Sequence, residues 1–154
     1  MHHKLLVHIV WTTRDREATI DSRRAAYLWE NLPVIARQER VHILEIGIVT
    51  THLHLLVRIH PSTSLPRLLQ RMKGGTARAV NWHASVSGPA LRWAKGYSAT
   101  TVSPRHVGAA ASYVRQQHTH HPVDAISGWA GQPTRRSDEF GNVARVASAT
   151  SAEP

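Results

Sequence analysis

Apolar positions along this chain repeat at two spacings, and each change of spacing marks a new element. Lys4 to Trp11 is an almost unbroken run of Leu, Val and Ile, which predicts a strand covered on both faces. Thr12 to Thr19 is polar and charged and reads as a loop. Asp21 or Ser22 can cap a helix running to about Gln38, with Ala25, Leu28, Trp29 and Leu32 on one face. Pro33 falls inside that pattern, so a kink or restart is expected there. Val41 to Val49 returns to β-branched residues, Thr50 and Thr51 form a tight connection, and His52 to His60 alternates. Leu53, Leu55, Val57 and Ile59 share one face of that stretch, and His52, His54, Leu56, Arg58 and His60 share the other. Two strands this close in sequence should pair as an antiparallel hairpin.

Helical spacing resumes at Ser64, a cap, and continues to about Trp82 through Leu65, Leu68, Leu69, Met72, Thr76, Ala79 and Val80. Gly74 and Gly75 weaken this helix. Ser85 to Pro89 reads as a loop, Leu91 to Val102 as a fourth strand, and Ser103-Pro104 as the opening of a third helix reaching about His118. After His121 the chain turns to Pro, Gly, Ser, Ala and Thr. Residues 122–140 read as loop with a docked piece around Trp129, and 141–154 as disordered, leaving 1–121 as the folded domain. Strand-helix-strand-strand-helix-strand-helix predicts an α+β fold. The expected form is a ferredoxin-like, split βαβ antiparallel sheet with helices packed on it.

Composition narrows the function. The 154 residues contain no cysteine, which excludes disulfides and thiolate metal sites. Nineteen Lys and Arg against ten Asp and Glu give a net charge of +9, and such an excess points to a polyanion, nucleic acid before membrane. Leu5 to Trp11 is too short to span a bilayer and lacks a signal-peptide cleavage site, so a cytoplasmic protein is expected, with no membrane partner.

Two groups of residues could carry chemistry. His52 and His54, at i and i+2 on a strand, project the same way about 6–7 Å apart, which lets two imidazoles converge on one metal ion. The same pair could equally be surface histidines on an edge strand. On the third helix Val107, Ala110, Ala111 and Val114 define the core face. Tyr113 lies roughly 110° and Gln117 roughly 70° from its centre, beside the core rather than in it, with His106 on the same stripe. A phenol next to an amide that could complete a metal shell is a plausible nucleophile site; a tyrosine packing at a helix border is the plainer alternative. Arg14, Arg16, Arg71, Lys73, Arg78 and Lys95 are candidate DNA-binding residues, and Trp82, Trp93 and Tyr97 could stack on unpaired bases.

These pieces resemble one family. His52-Leu53-His54 followed by Leu-Leu-Val is similar to the histidine-hydrophobic-histidine strand of HUH endonucleases. More narrowly, the chain resembles the single-tyrosine transposases of the insertion sequence 200/605 group. The likeness extends through His8-Ile9-Val10-Trp11-Thr12-Thr13, Leu69-Gln70-Arg71-Met72-Lys73-Gly74, Trp93-Ala94-Lys95-Gly96-Tyr97 and Tyr113-Val114-Arg115-Gln116-Gln117 with His120-His121. It covers roughly residues 4–121, in order.

The resemblance implies that Tyr113 attacks a DNA phosphodiester and keeps the 5′ phosphate as phosphotyrosine. It implies that His52, His54 and Gln117 hold a divalent metal, Mg²⁺ or Mn²⁺. The free 3′-OH reverses the attack on another strand, with no nucleotide cofactor. The implied substrate is single-stranded DNA with hairpins, and the implied form is a homodimer. Thr51 stands where many relatives carry an acidic residue or Asn, which implies looser support for the metal histidine. Asp138-Glu139-Phe140 is the remnant expected of an acidic and aromatic C-terminal region. A non-cutting hairpin binder of the same fold and a metal-dependent hydrolase using only the histidine pair are the alternatives.

Overall fold

The computed structural model describes residues 5–83 and 88–129. Its strands are β1 (Leu5–Thr12), β2 (His42–Ile48), β3 (His52–Ile59) and β4 (Ser98–Val102), and its helices α1 (Ser22–Gln38), α2 (Leu65–His83), α3 (Val107–Arg115) and α4 (Gln117–His120). The four strands form one antiparallel sheet in the order β2-β3-β1-β4. Helices cover both faces, so the α+β, split βαβ architecture expected from the element order is the one observed.

The alternation of β3 assigns each face its layer. Leu53, Leu55 and Val57 pack with Val7, Ile9 and Trp11 of β1 and with the buried stripes of α1 and α2. On the opposite face Leu56 joins Leu6, Leu44 and the α3 residues Val107, Ala111 and Val114 in a smaller core. His52 and His54 share that second face, between the sheet and the α3 layer. Arg115, at the end of α3, donates to the buried Glu45 carboxylate of β2 at 2.9 Å and ties the helix to the sheet. A charge-assisted bond at such low exposure also fixes the position of α3 along β2.

Three elements differ from expectation. Helix α1 runs through Pro33 without a break, because Ala25, Leu28, Leu32 and Ala36 are fully buried beneath it. That burial outweighs an interior-proline penalty of about 3 kcal/mol. Its start is the expected one, with the Asp21 carboxylate accepting from the Arg24 amide at 2.9 Å. The fourth strand begins at Ser98, not Leu91. Ahead of it Trp93 makes an isolated antiparallel bridge to Thr13, and side chains hold the flanks: Asn81 bonds both backbone groups of Leu91, and Lys73 donates to the carbonyls of Ala94 and Gly96. The expected third helix is divided into a 3-10 turn over Pro104–His106, then α3, then α4, with Gln116 outside helical geometry at the break. Ile126 is buried and Trp129 packs edge-on against Trp29, which is the docked piece expected there. The expectations for 130–154, including Asp138-Glu139-Phe140, and for Ser85 to Ser87 lie outside the described residues.

Candidate functional site

Strand pairing assembles an imidazole cluster at one end of the sheet. β3 supplies His52 and His54; β1, paired antiparallel to it, brings His8 to the same face. The ring nitrogen Nε2 of His8 lies 2.8 Å from Nδ1 of His54. Nδ1 of His52 lies 3.0 Å from the Thr51 hydroxyl. In both histidines Nδ1 is engaged, so Nε2 is the nitrogen left to bind a ligand. The tautomer that permits this carries the proton on Nδ1, donated to the Thr51 hydroxyl by one ring and to His8 Nε2 by the other. Thr51, which stands where an acid or Asn was expected to support the metal histidine, contacts the His52 ring through its hydroxyl.

Helix α3 lowers Tyr113 onto this cluster. Its ring centroid lies 5.7 Å from that of His54, 5.9 Å from His8 and 4.6 Å from His120, while 40% of the residue remains exposed. The approach depends on Gly47 of β2, the register partner of His54. A Cβ at Gly47 would overlap the Val114 carbonyl oxygen and stand 2.8 Å from Gln117 Cγ.

Gln117 departs from the helical-wheel position beside the core. The break at Gln116 turns it inward, where it is 1% exposed and donates Nε2–H to the Tyr113 carbonyl at 2.9 Å. Its Oε1 is buried with no hydrogen-bond partner among the described residues. An orphaned amide oxygen on the residue that bonds the Tyr113 carbonyl, under the same helix layer as the histidine pair, suits a divalent cation that accepts mixed nitrogen and oxygen ligands.

His121 was not among the sequence-derived ligands, yet its ligand nitrogen and those of His52 and His54 all lie within 4.8 Å of one another. A histidine cluster able to bind a metal ion is thus present. His8 and His121 stand in family-like segments of the sequence with no role assigned; strand register and the turn after α4 bring them to the site.

The rings are held neutral. Burial first, then the neighbouring His121 and Arg16, lowers the pKa of His52 to about 4. Burial, then His52 and His8, lowers His54 to about 3. Both shifts favour the metal-binding form. They also set a stability slope: between the ordinary value of 6.5 and these depressed values, the unfolded chain binds more protons than the folded one. Metal-free stability is expected to be full above pH 6.5 and to decline as pH falls, by up to about 1.4 kcal/mol per pH unit for each ring. Urea midpoints from pH 8 to pH 4 check this against His54→Leu, which should show the shallower decline; equal slopes would contradict it.

The candidate DNA-binding residues are dispersed. Arg14 and Arg16 are exposed on the turn after β1, where Asp15 and Arg16 both adopt left-handed backbone, and Arg16 is close enough to lower the His52 pKa. Arg71 is engaged with Glu39 and Gln38 of the α1 end, and Lys73 with the 94–96 backbone. Arg78 and Lys95 are exposed, as is Trp82; Trp93 instead packs on Trp11 and donates to Thr76.

An antiparallel sheet presenting a histidine pair to a helix-borne tyrosine defines the class of single-tyrosine HUH proteins. The chain belongs to the IS200-like transposases, whose family model matches residues 1–117. It is 25% identical over 124 residues to the ISDra2 transposase TnpA of Deinococcus radiodurans, covering 75% of this chain and 86% of that one. The fold is similar to that of a candidate transposase from the same species, with a TM-score of 0.61 at 23% identity over 82% of this chain and 95% of the other. A REP-associated tyrosine transposase bound to a REP hairpin also has a TM-score of 0.61, at 11% identity over 86% and 75% of the two chains. Among the described residues no helix is long and apolar enough to cross a membrane.

Proposed function

We propose that this transposase cuts and rejoins single-stranded DNA at hairpin-bearing ends through a 5′-phosphotyrosine on Tyr113. The observation that carries the reading is the Tyr113 ring facing the His52–His54 pair within one chain. The phenolic oxygen attacks the scissile phosphorus. A new O–P bond forms, the bond to the 3′ oxygen breaks, and that oxygen leaves as a hydroxyl after taking up a proton. The phenolic proton passes to solvent, which reaches the part-exposed ring. Reversal by a 3′-OH restores a phosphodiester and frees Tyr113, so joining needs no nucleotide cofactor.

His52 and His54 would hold a divalent ion, Mg²⁺ or Mn²⁺, with the Gln117 amide oxygen as the further ligand the family resemblance assigns. An ion held there would supply Lewis-acid polarisation of a non-bridging phosphate oxygen. His8 and Thr51 can accept the Nδ1 protons that the ligating tautomer of both rings requires. Arg16, beside His52, meets the phosphate flanking the cut. Arg14, Arg78 and Lys95 track the strand, with Arg71 and Lys73 contributing by charge alone while engaged in the fold. The hairpin bound by the REP-associated relative supports a hairpin substrate. A homodimer, the form the family resemblance implies, would bring two such sites to two DNA ends.

The test is incubation of labelled single-stranded hairpin DNA with the protein, with Mn²⁺ or Mg²⁺ and with EDTA. Metal-dependent cleavage leaving a free 3′-OH, with no free 5′-phosphate end, is expected. Cleavage that releases free 5′-phosphate ends would instead favour a hydrolase.

A further inference from the structure

We propose that His121 is a third imidazole ligand of the metal centre, so that the ion bridges the sheet and the segment following Tyr113 and favours Mn²⁺ over Mg²⁺. This rests on the reading that His52 and His54 hold a metal.

The geometry requires little adjustment. The ring of His121 stands 4.9 Å from that of His52, nearly perpendicular to it, and 6.3 Å from that of His54. Ligand nitrogens at about 2.1 Å from one ion stand up to about 4.2 Å apart, so the observed bound of 4.8 Å closes with a small ring rotation. The backbone around His121 is fixed on both sides. Its amide donates to the Gln117 carbonyl at 2.8 Å and its carbonyl accepts from Asp124 at 3.0 Å. The Asp124 carbonyl in turn accepts from Thr50 at 2.8 Å, two residues before His52. The segment is thus tied to the β2–β3 turn that presents the histidine pair.

Chemistry decides the metal. Two imidazoles and an amide oxygen still suit a hard ion, but a third imidazole moves the donor set toward nitrogen. Affinity should then rise along the usual order, with Mg²⁺ weakest, Mn²⁺ above it, and Co²⁺ and Zn²⁺ tighter still. The ion also becomes a latch. His121 lies one residue beyond α4 and eight beyond Tyr113, so binding holds the tyrosine-bearing segment against the sheet.

Titration of the full-length, DNA-free protein with Zn²⁺, followed by imidazole nitrogen NMR, reads the ligands directly. Three rings, assigned by substitution to His52, His54 and His121, should shift together. His121→Ala should weaken Zn²⁺ and Co²⁺ binding by at least about tenfold, since even outer-shell changes cost that much. Metal should also slow amide exchange over 107–120 in the wild type and lose that effect in His121→Ala. If only His52 and His54 shift and His121→Ala binds with unchanged affinity, His121 is not a ligand, although the two-histidine site stands. If no ring responds, the underlying metal reading fails and the third ligand with it.

Discussion

Tyr113→Phe is expected to abolish strand cleavage and joining while leaving hairpin binding intact. The substitution removes one oxygen and keeps the ring that packs among His8, His54 and His120, so the fold and DNA surface are preserved. Loss of a nucleophile for which nothing else substitutes lowers kcat on the order of 10⁴-fold or more. His120 is the imidazole nearest the Tyr113 ring, yet it cannot form the same stable phosphotyrosine linkage. Gel-shift affinity and cleavage rate, measured on the same hairpin, separate the two effects. Comparable loss of both would mean that Tyr113 serves in DNA contact or packing; retention of cleavage would assign the attack to water.

Gly47→Ala is expected to disable the site from the opposite side of the layer. The added methyl would meet the Val114 carbonyl and the Gln117 side chain, and the carbonyl is backbone that cannot rotate away. α3 must lift or β2 must bend, at about 1–3 kcal/mol of overpacking strain. Because Val114 follows Tyr113 and Gln117 donates to the Tyr113 carbonyl, any lift displaces the phenol from His54. A shift of about 1 Å costs on the order of 10²-fold in rate, in addition to the lost stability. Thermal unfolding and cleavage rate measured on the same preparation check both; a variant with wild-type melting and activity would show that α3 docks more loosely than the Gly47 contact implies.

The alternation around His52-Leu53-His54 made the hairpin, the buried face and the histidine pair legible from sequence, because a two-residue period fixes which side chains share a face. The helices were legible through the other period, about 3.6 residues, in Leu68, Leu69 and Met72 or Ala25, Leu28 and Leu32. What escaped depended on partners distant in sequence. His8 joins His54 only through β1–β3 register, and Gly47 is required only because α3 crosses it. His121 and the inward turn of Gln117 depend on a helix break at Gln116, which no proline or glycine announces. Arg71 and Lys73 look like a basic surface in sequence, whereas in the fold they are committed to Glu39, Gln38 and the 94–96 backbone. Side chains of that kind are assigned by tertiary neighbours, not by local spacing.

Everything proposed for cutting and joining turns on a covalent bond between Tyr113 and a 5′ phosphate. The most direct measurement is mass spectrometry of peptides from protein incubated with Mn²⁺ and hairpin DNA, then denatured and digested with nuclease and protease. A residual nucleotide attached through its 5′ phosphate to the peptide containing Tyr113 is expected, absent with EDTA and absent from Tyr113→Phe. Full conversion of the DNA to cut product with no modified peptide, or a nucleotide on another residue, would contradict it.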